Sequence, residues 1–154
     1  MKSYKDLVSD CLPQISEVFP WDLEDELKQN PDIILVDINE PYEYSLAHLP
    51  DAINVPRGIL ESACDYGYDE TVPEIASGRE KTIIVICRSG NRSALAAFTM
   101  RQMGFSNVRS LKTGLRGWND NDSTLEDSQN NIVDPDIAEG YFTTKLRPDQ
   151  EEPK

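Results

Sequence analysis

Residues 87–93 read Cys-Arg-Ser-Gly-Asn-Arg-Ser, a cysteine with two arginines and a glycine in the next five positions. A thiolate is a strong nucleophile, and it is favoured where peptide N–H groups and cations converge on the sulfur. Cys87 closes an apolar run that begins at Thr82, and a helical pattern from Arg92 to Met103 follows. In an open α/β sheet, ligands bind at that place, beyond the carboxyl end of a strand where the chain turns into a helix. The turn Arg88-Ser89-Gly90-Asn91 is too short to stray. Gly90 permits a left-handed backbone angle, so N–H groups of the turn and of the next helix's first turn can meet at one point. Such a nest holds an anion, here the sulfur itself. Cys87 is therefore the candidate nucleophile, with Arg88, Ser89, Gly90, Asn91, Arg92 and Ser93 as the substrate-binding shell. A nucleophile activated in this way needs no histidine base, and the chain has a single histidine, His48.

The rest of the composition narrows the partner. The chain carries 28 acidic and 15 basic residues, a net charge of -13. Against that background Arg88, Arg92, Arg57 behind Asn54-Val55-Pro56, and Arg116 in a glycine turn would form a local basic mouth if the fold joins their loops. A small anionic substrate suits such a mouth, whereas the overall charge opposes nucleic acid and anionic membrane surfaces. Between Asn119 and Lys154 ten acidic residues face three basic ones, which reads as a partly disordered or surface-wrapping tail. No apolar run reaches the roughly 18 residues of a membrane span, and Met1–Asp10 lacks the apolar segment of a signal peptide, so a cytoplasmic location is expected. Cys11, Cys64 and Cys87 are odd in number and widely spaced, which suits a reducing compartment. With one histidine and no paired Cys or His spacing, neither a metal site nor a cofactor is expected. Cys11 and Cys64 adjoin no cation cluster and read as structural.

The elements that must position Cys87 follow from hydrophobic pattern. Ile33–Ile38 and Thr82–Cys87 are short, continuously apolar, β-branched runs, the form of strands buried on both faces. Ala52–Pro56 and Asn107–Leu111 predict two further short strands. Helices are predicted over 3–12, 20–32, 41–49 and 92–103, a helical turn near 58–64, and a last helical stub after Thr113-Gly114. Strands alternating with helices predict a single α/β domain, a mainly parallel central sheet flanked by helices.

The residues also carry a resemblance. Cys87–Ser93 is similar to the active-site loop C-x-x-G-x-R-S of rhodanese-like sulfurtransferases. Residues 35–56 resemble that family's first motif at Asp37, Glu40, Glu43, Tyr44, His48, Ala52, Asn54 and Pro56, and Gly114 and Trp118 resemble its closing motif. The likeness covers about 21–118, leaving an N-terminal helical extension over 1–20 and an acidic, partly irregular tail over 119–154. It implies a rhodanese-like domain in which Cys87 takes a sulfane sulfur from a donor such as thiosulfate, holds it as a persulfide and passes it to cyanide or a thiol. Arg88 and Arg92 would then position the donor anion, and N–H groups from Arg88 to Ser93 would hold the terminal sulfur. Asp37 and Arg57 would support the site, Asp37 from beneath the loop. The family often has arginine where this chain has Asn39, and glycine at Ala47 and Leu115. Losing that arginine removes an ion-pair partner for Glu40 or Glu43. His48 and Trp118 read as structural residues. Other readings are a persulfide carrier or regulatory binding module serving a protein cysteine. Phosphatase or arsenate reductase activity fits less well, because those loops are C-x5-R and this one is C-x4-R.

Overall fold

A computed structural model describes residues 1–154. Its centre is a five-stranded, all-parallel sheet. In chain order the strands are β1 (Ser16–Val18), β2 (Ile34–Asp37), β3 (Ile53–Asn54), β4 (Ile83–Ile86) and β5 (Val108–Leu111), arranged β1-β5-β4-β2-β3 across the sheet. β2 and β4 are the apolar runs expected to be buried on both faces, and every residue of both is buried. Their register sets Val36 opposite Val85 and Asp37 opposite Ile86.

Because successive strand residues point to opposite faces, the two runs feed two cores. Ile34, Val36, Ile83 and Val85 pack under α6 (Asn91–Gln102), through Ala96, Ala97 and Met100. Leu35, Ile84 and Ile86 face the other way, toward Leu23 of α2 (Pro20–Gln29) and Leu115 and Trp118 of α7 (Gly114–Asp120). Between β2 and β3 runs α3 (Pro41–Leu46), with Pro41 fixing its first turn. Two four-residue helices, α4 (Leu60–Ala63) and α5 (Pro73–Ala76), fill the β3–β4 connection.

Both flanks outside the recognisable motifs are more structured than their sequences indicate. The first 20 residues hold α1 (Tyr4–Cys11) and also β1, which extends the sheet beside β5. Ser16-Glu17-Val18 is too short for a period-2 pattern to register, and an edge strand needs only one partner. The acidic segment wraps back over the domain. His48 and Glu126 pair through their backbones, and α8 (Pro135–Phe142) inserts Ala138 and Phe142 into the core around Leu115 and Trp118. Asp134 caps α8 by accepting hydrogen bonds from the Asp136 and Ile137 N–H groups at 2.8 and 3.3 Å. The charge that suggested disorder lies on the outer surface of this segment, and its few apolar residues do the docking.

Candidate active site

Cys87 follows β4 directly, and the loop after it is folded against the start of α7. Gly90 has φ +90°, and a Cβ there would lie 2.9 Å from the Thr113 nitrogen. Gly114, at φ +60°, lies so close that a Cβ would meet the Arg88 carbonyl oxygen at 2.6 Å. This close approach lets the first N–H groups of α7 donate into the loop, Leu115 to the Cys87 carbonyl at 2.9 Å and Arg116 to the Arg88 carbonyl at 3.0 Å. With those carbonyls held by α7, the loop's own N–H groups are free to turn toward the sulfur.

Cys87 Sγ accepts from the Gly90 N–H at 3.1 Å and the Ser93 N–H at 3.3 Å. Its third neighbour is the Ser93 hydroxyl at 3.3 Å, which in turn lies 2.7 Å from the Ser110 hydroxyl on β5. In the thiolate form the Ser93 hydroxyl can donate to sulfur while accepting from Ser110. The N–H groups of Arg88, Ser89, Asn91 and Arg92 donate to no backbone carbonyl. Cys87 itself is fully buried, whereas Ser89 and Asn91 of the same loop are exposed.

This cradle occupies the position matched by a known family. The rhodanese-like domain matches residues 20–121 of this chain. The chain belongs to that family. The rhodanese-like domain is 32% identical over 108 residues to a putative sulfur carrier protein of Bacillus subtilis, covering 70% of this chain and 51% of that protein. The chain thus spans about half the length of that relative. It is 31% identical over 96 residues to the thiosulfate:glutathione sulfurtransferase of Saccharomyces cerevisiae, covering 59% of this chain and 68% of the yeast protein. Among solved structures, a Rhodopseudomonas palustris protein of unknown function, described as a possible tyrosine phosphatase, is 26% identical. It superposes with a TM-score of 0.75 over 82% of this chain and 96% of its own.

The two loop arginines of this rhodanese-like domain differ in their surroundings. Arg92 makes a bidentate pair with Glu43 of α3, at 2.9 and 3.0 Å. That hydrogen bonding raises Arg92 above its ordinary range; burial works against the Glu43 carboxylate, but Arg92 outweighs it and holds Glu43 low. The pair fixes the start of α6 to α3, so Arg92 is a brace with its fork occupied. Arg88 has no carboxylate partner.

The four-arginine mouth is not assembled. Arg57 pairs with Glu61 at 2.9 Å and reaches Thr99 at 3.4 Å, about two turns along α6 from the loop. Arg116 lines a separate hollow with Trp21 and Asp120. Loop backbone alone was insufficient to place these side chains, because acidic neighbours claim Arg57 and the direction of α7 carries Arg116 away.

Asp37 lies beside Ile86, one residue from Cys87, but its carboxylate accepts only from the Asn39 N–H, at 2.9 Å. Burial pushes the carboxyl up to about 7, against the lowering effect of Asn39. Asn39 is also fully buried; its amide makes no hydrogen bond of good geometry, but it lies close enough to the Asp37 carboxylate to help lower that group. His48 stacks on Tyr44, with ring centroids 3.8 Å apart, and its Nδ1–H donates to the Tyr44 carbonyl at 2.7 Å. Trp118 is buried, its indole N–H donating to Thr124. No group of three or more His, Cys, Asp or Glu residues is arranged to hold a metal ion.

Two residues at the site escape sequence reading. Ser110 gave a faint signal, a small hydroxyl inside a buried strand. Tyr4 gave none: α1 lies along α6, with Val8 and Cys11 against Ala94, which brings Tyr4 near the loop. Burial raises its phenol above the usual range, the Cys87 charge adds to this, and Arg92 and Arg88 oppose it.

Proposed function

We propose that this rhodanese-like protein is a sulfurtransferase that carries a sulfane sulfur on Cys87. The observation that carries the reading is the pair of N–H groups, from Gly90 and Ser93, already directed at Cys87 Sγ. The Cys87 thiolate attacks the outer sulfur of thiosulfate, the S–S bond breaks, and sulfite leaves with the bonding pair. A Cys87 persulfide anion remains. Its terminal sulfur is one bond farther out, where the unengaged N–H groups of Arg88, Ser89, Asn91 and Arg92 supply donors. Cyanide or a thiolate then takes that sulfur and restores the Cys87 thiolate, completing a double displacement.

The sulfur-carrier relative supports a second reading of the same chemistry, in which the acceptor is a protein cysteine and small acceptors turn over poorly. The complete cradle argues against an inactive binding module. A phosphatase or arsenate reductase is disfavoured by the six-residue Cys87–Arg92 span and by the engagement of Arg92 with Glu43. The three cysteines are free, which supports a reducing, cytoplasmic setting. No helix is long and apolar enough to cross a membrane.

The test is intact-protein mass after thiosulfate treatment, followed by cyanide. A gain of one sulfur atom, absent in Cys87→Ser and discharged as thiocyanate, is expected. A load that cyanide does not discharge but a protein thiol does identifies the carrier. No load from any sulfane donor refutes the persulfide.

A further inference from the structure

The helix that precedes the shared domain carries a polar group to the thiol site. Tyr4, Val8 and Cys11 stand at spacings i, i+4 and i+7 and share one face of α1. Val8 and Cys11 pack on Ala94, in the first turn of α6, with Leu95 and Phe98 beside them. Past the end of α1, the Gln14 carbonyl accepts from the Arg101 guanidinium at 2.6 Å, near the far end of α6. α1 therefore runs along α6 in the same direction, and its first residue lies at the loop end. Tyr4 is one turn, about 5.4 Å, before Val8, level with the residues that open α6. Ser93, one position before Ala94, donates its N–H to Cys87 Sγ. The charges that act on the Tyr4 phenol agree with this placement: Cys87 foremost, then Arg92 and Arg88, all of them groups of the loop. Arg92 in turn senses both Cys87 and Tyr4.

We propose that Tyr4 is a specificity-determining residue of this site, whose hydroxyl donates a hydrogen bond to the sulfur that Cys87 takes up. The proposal rests on the persulfide reading and deepens it. Cys87 Sγ already has three partners, and the Tyr4 hydroxyl is not among them, so its place is with an atom bonded beyond Sγ. Burial keeps the phenol protonated, which makes it a neutral donor suited to an anionic sulfur. In loading, Cys87 sulfur bonds to the outer sulfur of thiosulfate, and sulfite leaves with the S–S pair. In discharge, cyanide or a thiolate bonds to the terminal sulfur, and the S–S pair returns to Cys87 Sγ. The hydroxyl keeps its proton in both steps and offsets the negative charge on the sulfur in transit. The site thereby favours reactants that present a charged sulfur over carbon electrophiles. Tyr4 lies outside residues 20–121, so this donor is one that the shared domain does not supply.

The test is a set of single-turnover measurements on the full chain with Tyr4→Phe, which removes the hydroxyl and keeps the ring. Loading from thiosulfate and discharge by cyanide, both followed by intact-protein mass, each fall about tenfold. Alkylation of the unloaded Cys87 thiol by iodoacetamide, whose reacting atom is carbon, stays within twofold of wild type. The loaded persulfide of Tyr4→Phe alkylates with a pH profile displaced to higher pH, because a lost donor disfavours the anion, while the unloaded thiol keeps its profile. Equal slowing of thiol alkylation and sulfur transfer, with a lower Tm, makes Tyr4 a packing residue of α1 and overturns the proposal. Wild-type transfer rates and an undisplaced persulfide profile in Tyr4→Phe overturn Tyr4's part alone and leave the persulfide standing. A wild-type chain that takes sulfur from neither thiosulfate nor inorganic polysulfide refutes the persulfide itself and the role of Tyr4 with it.

Discussion

Cys87 and Cys64 are both fully buried and belong to the same apolar cluster, yet their surroundings separate them. Cys64 has no hydrogen-bond donor directed at its sulfur, and burial pushes its thiol up to about 11, more strongly than nearby Arg79 can lower it. Cys87 receives two peptide N–H groups and stands next to a serine pair. Burial alone silences a cysteine; directed donors in a buried place make it a candidate nucleophile.

The largest test of that contrast exchanges the sulfurs. Cys87→Ser is expected to abolish persulfide loading, at least a thousandfold loss, whereas Cys64→Ser keeps more than half of wild-type activity. Equal losses, measured by thiocyanate formation, would erase the distinction. Next comes the support of the cradle. Gly114→Ala places a Cβ against the Cys87 and Arg88 carbonyls at a positive φ, and should cost about 3 kcal/mol of stability and roughly a hundredfold in kcat/KM. Retained activity in that variant, checked alongside chemical denaturation, would mean that the α7 contact is not what aims the N–H groups.

The rule that disfavours Cys64 as an anion also applies to Asp37. Its carboxyl is raised to about 7 by burial, so the folded state binds the proton more tightly than the unfolded chain. The stability this gives is present below about pH 4 and is lost as pH rises through 7, at up to about 1.4 kcal/mol per pH unit. Asp37→Asn should flatten that decline in urea titrations at pH 4, 5.5 and 7; an unaltered slope would assign it to another group. The smallest effect is expected of Ser110→Ala. It removes one hydroxyl behind Ser93, for a three- to tenfold drop in kcat and about 1 kcal/mol of stability. A loss as large as that of Gly114→Ala would move the centre of the cradle from backbone to side chains.

Much of this was legible in the residues. The β-branched runs of β2 and β4 announce a doubly covered parallel sheet, and Cys87-x-x-Gly90-x-Arg92-Ser93 announces a turn at the end of one of its strands. The resemblance of the surrounding motifs agrees with the family match over 20–121. Less legible were β1, whose three residues are too few for periodicity, and α8, whose two buried residues sit among charges. The partner of the loop arginine Arg92 was not legible at all. Arg92 finds Glu43 at a sequence separation of 49, a choice that depends on where α3 comes to rest, whereas Arg57 and Glu61 are an i,i+4 pair that local spacing allows.

The sequence by itself determined the layering of the domain and the position of the thiol. Both follow from local properties: apolar periodicity, the freedom of Gly90, and the shortness of the loop. Tertiary structure decided which charges remain available, because an ion pair forms between groups that packing brings within about 3 Å. It left Arg88 without a carboxylate partner while it paired Arg92 with Glu43. It also packed α1 along α6 and α8 against Leu115 and Trp118, through contacts that no local pattern records.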